Sequence, residues 1–190
     1  RVIGKRSDGY HEIASLYQAI DWCDTMTINR AMSTTLRCNQ SDVPTDSSNL
    51  ILQAHQEFEK ATGLNFPVEV FLDKRIPLGG GLGGGSSNAA TALYAFNELA
   101  DRPLREEQLV GCAEAIGADV PFFFYSGTAY CTGKGEKVVN VRKPSLDSMW
   151  LAFPKVSCMT PEVFQECRVN ESSTLDPGKI VEGFAEDKFQ

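Results

Sequence analysis

The chain has 190 residues, with 18 Lys or Arg against 25 Asp or Glu, a net charge of −7, and 42% hydrophobic residues. That is ordinary globular composition, enough for one domain with a core of its own, and neither disordered nor collagen-like. The acidic balance argues against a general nucleic-acid or anionic-membrane surface, which wants a basic face.

In chain order, Gly9-Tyr10-His11 reads as a turn leading into a strand, with Tyr10 half buried. Residues 25–30 form the first clear strand. Asn49 is placed to cap a helix whose apolar stripe is Ile51, Ala54, Phe58 and Ala61, and Gly63 ends it. His55 sits on that helix and is expected to face water. The alternating residues 68–72 form a second strand, and 87–100 a helix with Ala89, Leu93, Phe96 and Ala100 on one face. Residues 105–116 repeat the plan with Leu109, Cys112, Ala113 and Ile116, stopped by Gly117. Strands follow at 129–132 and 137–141, turned by Gly133-Lys134-Gly135, and another at 149–153. Thr160-Pro161-Glu162 is a helix start, with a capping hydroxyl, proline at the first helical position and an acid in the first turn. The polar stretch 142–148 with Pro144 marks a boundary between domains 1–143 and 144–190. The tail from 168 onward shows no clear element.

No uncharged run can serve as a membrane span, because the one from 76 to 97 is broken by glycines and serines. Six cysteines without a CxxC pair, with His11 and His55 as the only imidazoles, fit a reducing compartment rather than a zinc site or disulfide scaffold. The cysteines read as small buried hydrophobes, and no metal-ligand cluster is expected. The chain begins with Arg1 in what reads as mid-domain sequence, so a fragment is expected.

The most informative segment is Pro77-Leu78-Gly79-Gly80-Gly81-Leu82-Gly83-Gly84-Gly85-Ser86-Ser87. Six glycines in seven residues, framed by a strand and an amphipathic helix, are hard to justify by packing. Such a loop brings backbone N–H groups close to a ligand at a helix N-terminus, where the dipole favours an anion, so the implied ligand is a phosphate. A β-branched residue at Gly83 or Gly84 should then intrude on that ligand. No Lys-Ser/Thr pair follows, so the loop is not of the Walker type. Gly79-x-Gly81-x-x-Gly84 satisfies the dinucleotide fingerprint, but the candidate ribose acid Glu98 falls inside a helix. A protein-kinase glycine loop wants valine where Ser86 stands. Asp119, flanked by Gly117 and the apolar Val120-Pro121-Phe122-Phe123-Phe124, is either a turn residue or an acid kept for chemistry.

The loop resembles the ATP loop of the GHMP kinases (galactokinase, homoserine kinase, mevalonate kinase and phosphomevalonate kinase among them). Three further segments agree in order and spacing with one branch of that family: Gly4-Lys5-Arg6-Ser7-Asp8-Gly9-Tyr10-His11-Glu12, Ile116-Gly117-Ala118-Asp119-Val120-Pro121 and Thr160-Pro161-Glu162-Val163-Phe164. That branch moves the ATP γ-phosphoryl group to a hydroxyl of a cytidine-diphosphate-linked methylerythritol, on the non-mevalonate route to isoprenoid precursors. The resemblance implies an α+β fold: an ATP-binding domain like domain 2 of ribosomal protein S5, then the start of a ferredoxin-like domain. It also implies ATP and Mg²⁺ at the loop (Pro77 to Ser87), Asp119 as catalytic carboxylate, and a small-molecule partner, with no nucleic acid and no membrane. The compartment would be a bacterial cytoplasm or a plastid stroma. Tyr10 and Phe164 would stack on the cytosine, His11 would hydrogen-bond its edge, and Thr160 and Pro161 would contact the same substrate. From spacing alone, Phe164 reads as core, Tyr10-His11 as a turn, and Thr160-Pro161 as a cap. The family's second catalytic residue, a lysine upstream of Arg1, and most of its C-terminal domain lie outside these 190 residues. This stretch alone is therefore expected not to turn over substrate. The open alternatives are another GHMP kinase, a non-catalytic ATP-binding homologue, and a dinucleotide oxidoreductase.

Overall fold

Alternating burial along the strands and 3.6-residue periodicity in the helices assemble an α+β fold. The computed structural model describes residues 1–125, 127–141, 150–152, 160–167 and 177–185. Strands β1 (Val2–Lys5) and β2 (His11–Gln18) form a hairpin, followed by β3 (Thr25–Arg30), β4 (Thr35–Cys38), helix α1 (Leu50–Thr62), β5 (Val68–Asp73), α2 (Gly84–Leu99) and α3 (Glu106–Ile116). A single 3₁₀ turn, Pro121–Phe124, leads to β6 (Thr128–Gly133) and β7 (Lys137–Asn140); α4 (Thr160–Gln165) and α5 (Pro177–Ala185) come last. One sheet is antiparallel throughout, in the order β1-β2-β6-β7. The other has the order β3-β5-β4, with β4 parallel to β5 across the α1 crossover.

The main core lies between the second sheet and the helices. Val68, Val70 and Leu72 of β5 point one way and meet Ile51, Ala54 and Phe58 of α1, Ala89, Ala92, Leu93 and Phe96 of α2, and Leu109 and Ala113 of α3. The rings of Phe58, Phe66 and Phe96 pack at 5.3–6.3 Å. A smaller cluster of Phe122, Ala129 and Cys131, with Tyr17 against it, lies under the first sheet. Asn49 caps α1 by accepting the Ile51 N–H at 2.9 Å, and Gly63 closes it at φ +69°. No described helix is long and apolar enough to cross a membrane.

Several expectations change. His55 is only 5% exposed, because it stands one turn after Ile51 on the buried face. Its Nε2 lies 2.8 Å from the Phe66 carbonyl, and its ring meets Phe96 edge-on. Ala61, in the last turn of the same helix, is exposed. Of the cysteines, Cys112 and Cys131 are buried as expected, but Cys23 is exposed. Helix α2 begins three residues before the predicted start at 87, inside the glycine run. Strands β1 and β4 and helix α5 escaped the sequence reading. Of the predicted strand 149–153, only 150–152 are described, and they form no strand. The proposed boundary at 142–148 lies outside the described residues.

Candidate active site

The glycine loop sits on a buried ion pair. As β5 ends, Lys74 turns inward and is 4% exposed. Its ammonium donates to Asp24 Oδ2 at 2.7 Å and to the Ile76 carbonyl at 2.6 Å. The other Asp24 oxygen accepts the Arg75 and Ile76 N–H groups at 2.6 and 2.8 Å. Burial alone would raise the Asp24 carboxyl. Hydrogen bonds from Lys74, the two amides and Asn88 outweigh it and hold the carboxyl below its ordinary value. The start of β3, the loop and the first turn of α2 are thereby tied together.

Above this base, Gly79, Gly81 and Gly83 adopt φ of +64 to +69°, which residues with a Cβ rarely tolerate. Gly83 is the N-cap of α2, and no side chain caps that end. Among the described residues, no side-chain cap thus takes the first-turn amides of this 16-residue helix, an arrangement that fits a phosphate. Gly84 corrects an expectation. A Cβ there would meet Ile76 Cγ2 and Lys74 Nζ, each at 3.0 Å, so it would press into the base of the loop rather than toward a ligand. Gly84→Val is expected to destabilise the fold by about 1–3 kcal/mol through overpacking. Thermal unfolding checks this, and an unchanged midpoint would mean that the loop accommodates the branch.

Asp119 lies in the turn between α3 and the 3₁₀ turn, where Val120 N–H donates to the Gly117 carbonyl at 3.2 Å. Its carboxylate accepts the Tyr17 hydroxyl at 3.1 Å. One side is open to water, while crowding by the surrounding protein raises the carboxyl above its ordinary value, with the Tyr17 hydrogen bond acting in the opposite sense. Burial, then the Asp119 charge, pushes the Tyr17 phenol upward, so it stays a proton donor. Burial likewise lifts the Cys131 thiol to about 12, which leaves it inert at neutral pH. The segment after Asp119 returns to the loop: the Phe123 ring lies 3.2 Å from where a Cβ on Gly83 would stand. One short, apolar stretch therefore fixes the carboxylate relative to the N-terminus of α2.

Of the remaining candidates, Tyr10, His11 and Phe164 lie around the start of β2. Tyr10, 55% exposed, has its N–H held by Asp8 at 3.1 Å. His11 stacks on half-buried Phe164 at 5.2 Å between ring centroids. The resemblance has Tyr10 and Phe164 both stacking on a base; in the structure the ring partner of Phe164 among the described residues is His11. Helix α4 begins at Thr160 as predicted, and the side chains of Thr160 and Pro161 lie outside the described residues. Among the described residues no group of three or more His, Cys, Asp or Glu side chains could hold a metal ion.

Sequence reasoning missed two contributors: Tyr17 and the Asp24–Lys74 pair. Tyr17 is 102 residues from Asp119 and Lys74 is 50 from Asp24, so no local spacing signals either contact.

Residues 49–127 match the model for the N-terminal domain of GHMP kinases. A solved 4-(cytidine 5'-diphospho)-2C-methyl-D-erythritol kinase superposes with a TM-score of 0.71 at 30% identity, covering 98% of this chain and 67% of that one. The chain belongs to the GHMP kinase family. Within that family, it is 46% identical over 171 residues to a 4-diphosphocytidyl-2-C-methyl-D-erythritol kinase of Protochlamydia amoebophila, covering 90% of this chain. It is 43% identical over 187 residues, 96% of the chain, to the chloroplastic enzyme of that name from Arabidopsis thaliana. It spans 59% and 49% of the lengths of these two relatives.

Proposed function

We propose that this GHMP kinase chain belongs to an enzyme that transfers the ATP γ-phosphoryl group to a hydroxyl of 4-diphosphocytidyl-2-C-methyl-D-erythritol, in the non-mevalonate isoprenoid route. The observation that carries the reading is the pairing of Asp119 with the uncapped N-terminus of α2 through Phe123 and Gly83. The shared name of the relatives supports the substrate. Residues 1–143 would form the ATP-binding domain and 144–190 the start of a second. By kinship with bacterial and chloroplastic relatives, the compartment would be a bacterial cytoplasm or a plastid stroma.

In this reading the glycine amides and the first turn of α2 hold ATP phosphate oxygens. Asp119 accepts the proton of the attacking hydroxyl, and its raised carboxyl makes it a better base than a fully solvated aspartate. Tyr17 keeps the carboxylate aimed by donating to one oxygen, which leaves the other for substrate. Bound Mg²⁺ would neutralise phosphate charge in the transition state; it typically keeps several waters and needs few protein oxygens. Tyr10, His11 and Phe164 would supply aromatic surface for the cytosine, and the resemblance adds Thr160 and Pro161 as contacts of the same substrate. Base stacking is worth about 1–3 kcal/mol.

The test is an ADP-release assay on the full-length gene product, with the cytidyl substrate and with homoserine and galactose as controls. Turnover confined to the cytidyl substrate is expected. Turnover of a control instead would indicate another GHMP kinase, and ATP binding without any turnover a non-catalytic homologue.

A further inference from the structure

We infer that Lys134 binds the diphosphate bridge of the cytidyl substrate and thereby separates cytidine diphosphates from cytidine itself. The inference rests on the cytidyl-kinase reading above. It arises from where the β6–β7 turn stands. Gly135, at φ +125°, comes so near the proposed proton acceptor that a Cβ on it would lie 3.1 Å from Asp119 Oδ1 and 3.4 Å from the Tyr17 hydroxyl. One residue earlier, the Lys134 ammonium lies 4.7 Å from the centre of the Tyr10 ring. The turn therefore spans the interval between the base platform and the proton acceptor. A substrate with its cytosine at Tyr10 and its reacting hydroxyl at Asp119 must lay its two phosphates across that interval.

The turn is also built to present a cation there. Gly133 N–H donates to Glu12 Oε1 at 3.1 Å, and Arg6 takes the other Glu12 oxygen at 2.8 Å. Lys134 N–H donates to Glu136 at 2.7 Å. Both neighbouring carboxylates thus have partners on the turn or its surroundings, and among the described residues the Lys134 ammonium forms no ion pair. It rests on the Tyr10 face, a contact of modest strength at an exposed site. A diphosphate would offer it charge-assisted hydrogen bonds instead. The long lysine stem needs only a rotamer change to make that exchange. In a chain of net charge −7, such a cation also offsets repulsion of a polyanionic substrate.

The experiment is calorimetric titration of the full-length gene product with cytidine, CDP and ADP, for the parent, Lys134→Met and Lys134→Arg. The parent should bind CDP more tightly than cytidine. Lys134→Met should weaken CDP about five- to thirtyfold, as expected for a charged hydrogen bond at a partly exposed site. Cytidine and ADP should stay within twofold of the parent, and Lys134→Arg should keep most of the CDP affinity. Equal losses for cytidine and CDP would overturn the inference, since Lys134 would then act only by shaping Tyr10. A loss for ADP without one for CDP would also overturn it, placing Lys134 at the ATP phosphates. Failure of the parent to bind either cytidine ligand would instead remove the cytidyl reading itself, and this inference with it.

Discussion

Asp119→Asn in the full-length gene product is expected to lower turnover by about 10²–10⁴-fold, the usual effect of removing a general base. ATP affinity should stay within a few fold, because the loop and the α2 N-terminus are untouched. The asparagine keeps the shape of the turn and can still accept the Tyr17 hydrogen bond, so the fold should survive. A variant that retained turnover would make Asp119 a turn residue, the bland alternative that its position after Gly117 leaves open. The pH profile gives an independent check through Tyr17. Crowding raises the Asp119 carboxyl and the Tyr17 hydrogen bond lowers it. Removing that bond in Tyr17→Phe should move the carboxyl further up, so the acid limb of kcat/KM shifts to higher pH. An unmoved limb would deny Asp119 the role of base in the free enzyme.

The parts of this site that were legible in the sequence are those whose signal is local. The glycine run announces a backbone-lined anion site because nothing else explains so many glycines between a strand and a helix. The helix stripes were legible for the same reason: Ile51, Ala54 and Phe58, or Leu109, Cys112 and Ala113, repeat at the helical period, with Gly63 and Gly117 closing the elements. Asp119 was visible as an anomaly, an acid in an apolar run, but its role came from resemblance rather than from spacing.

What was missed is non-local or inverted. Strand β4 has only four residues and holds its place by parallel pairing with β5 across a helix, which no alternation within it reveals. His55 looks like a solvated polar residue until the chain brings the Phe66 carbonyl to its ring; burial follows from that partner. The early start of α2 runs against propensity, since Gly84 and Gly85 are poor helix formers. Here the missing Cβ lets the first turn settle closely on Ile76 and Lys74, each of which would lie 3.0 Å from a Cβ at position 84. The same fact moves the consequence of substitution from the ligand to the fold.

The Asp24–Lys74 pair beneath that turn is where the largest loss of stability is expected. Both side chains are nearly sealed from water, at 2% and 3% exposure. Lys74→Met preserves much of the volume but leaves the Asp24 carboxylate buried without its cation, a defect that typically costs about 3–5 kcal/mol. Restoring neutrality in the double variant Lys74→Met with Asp24→Asn should recover part of this, because the amide oxygen still accepts the Arg75 and Ile76 N–H groups while no charge is stranded. The pH dependence separates this account from simple loss of packing. In the parent, the Asp24 carboxyl is held below its unfolded value, so its contribution is present above that value, about 3.9, and is lost as pH falls through the lower folded value. In Lys74→Met the main opposing cation is gone and the carboxyl rises. The variant should therefore lose less stability than the parent on acidification below about pH 4. Urea unfolding at neutral and acid pH measures both effects. A neutral-pH loss under about 1 kcal/mol, or acid slopes identical to those of the parent, would mean that the glycine loop does not depend on this ion pair for its foundation.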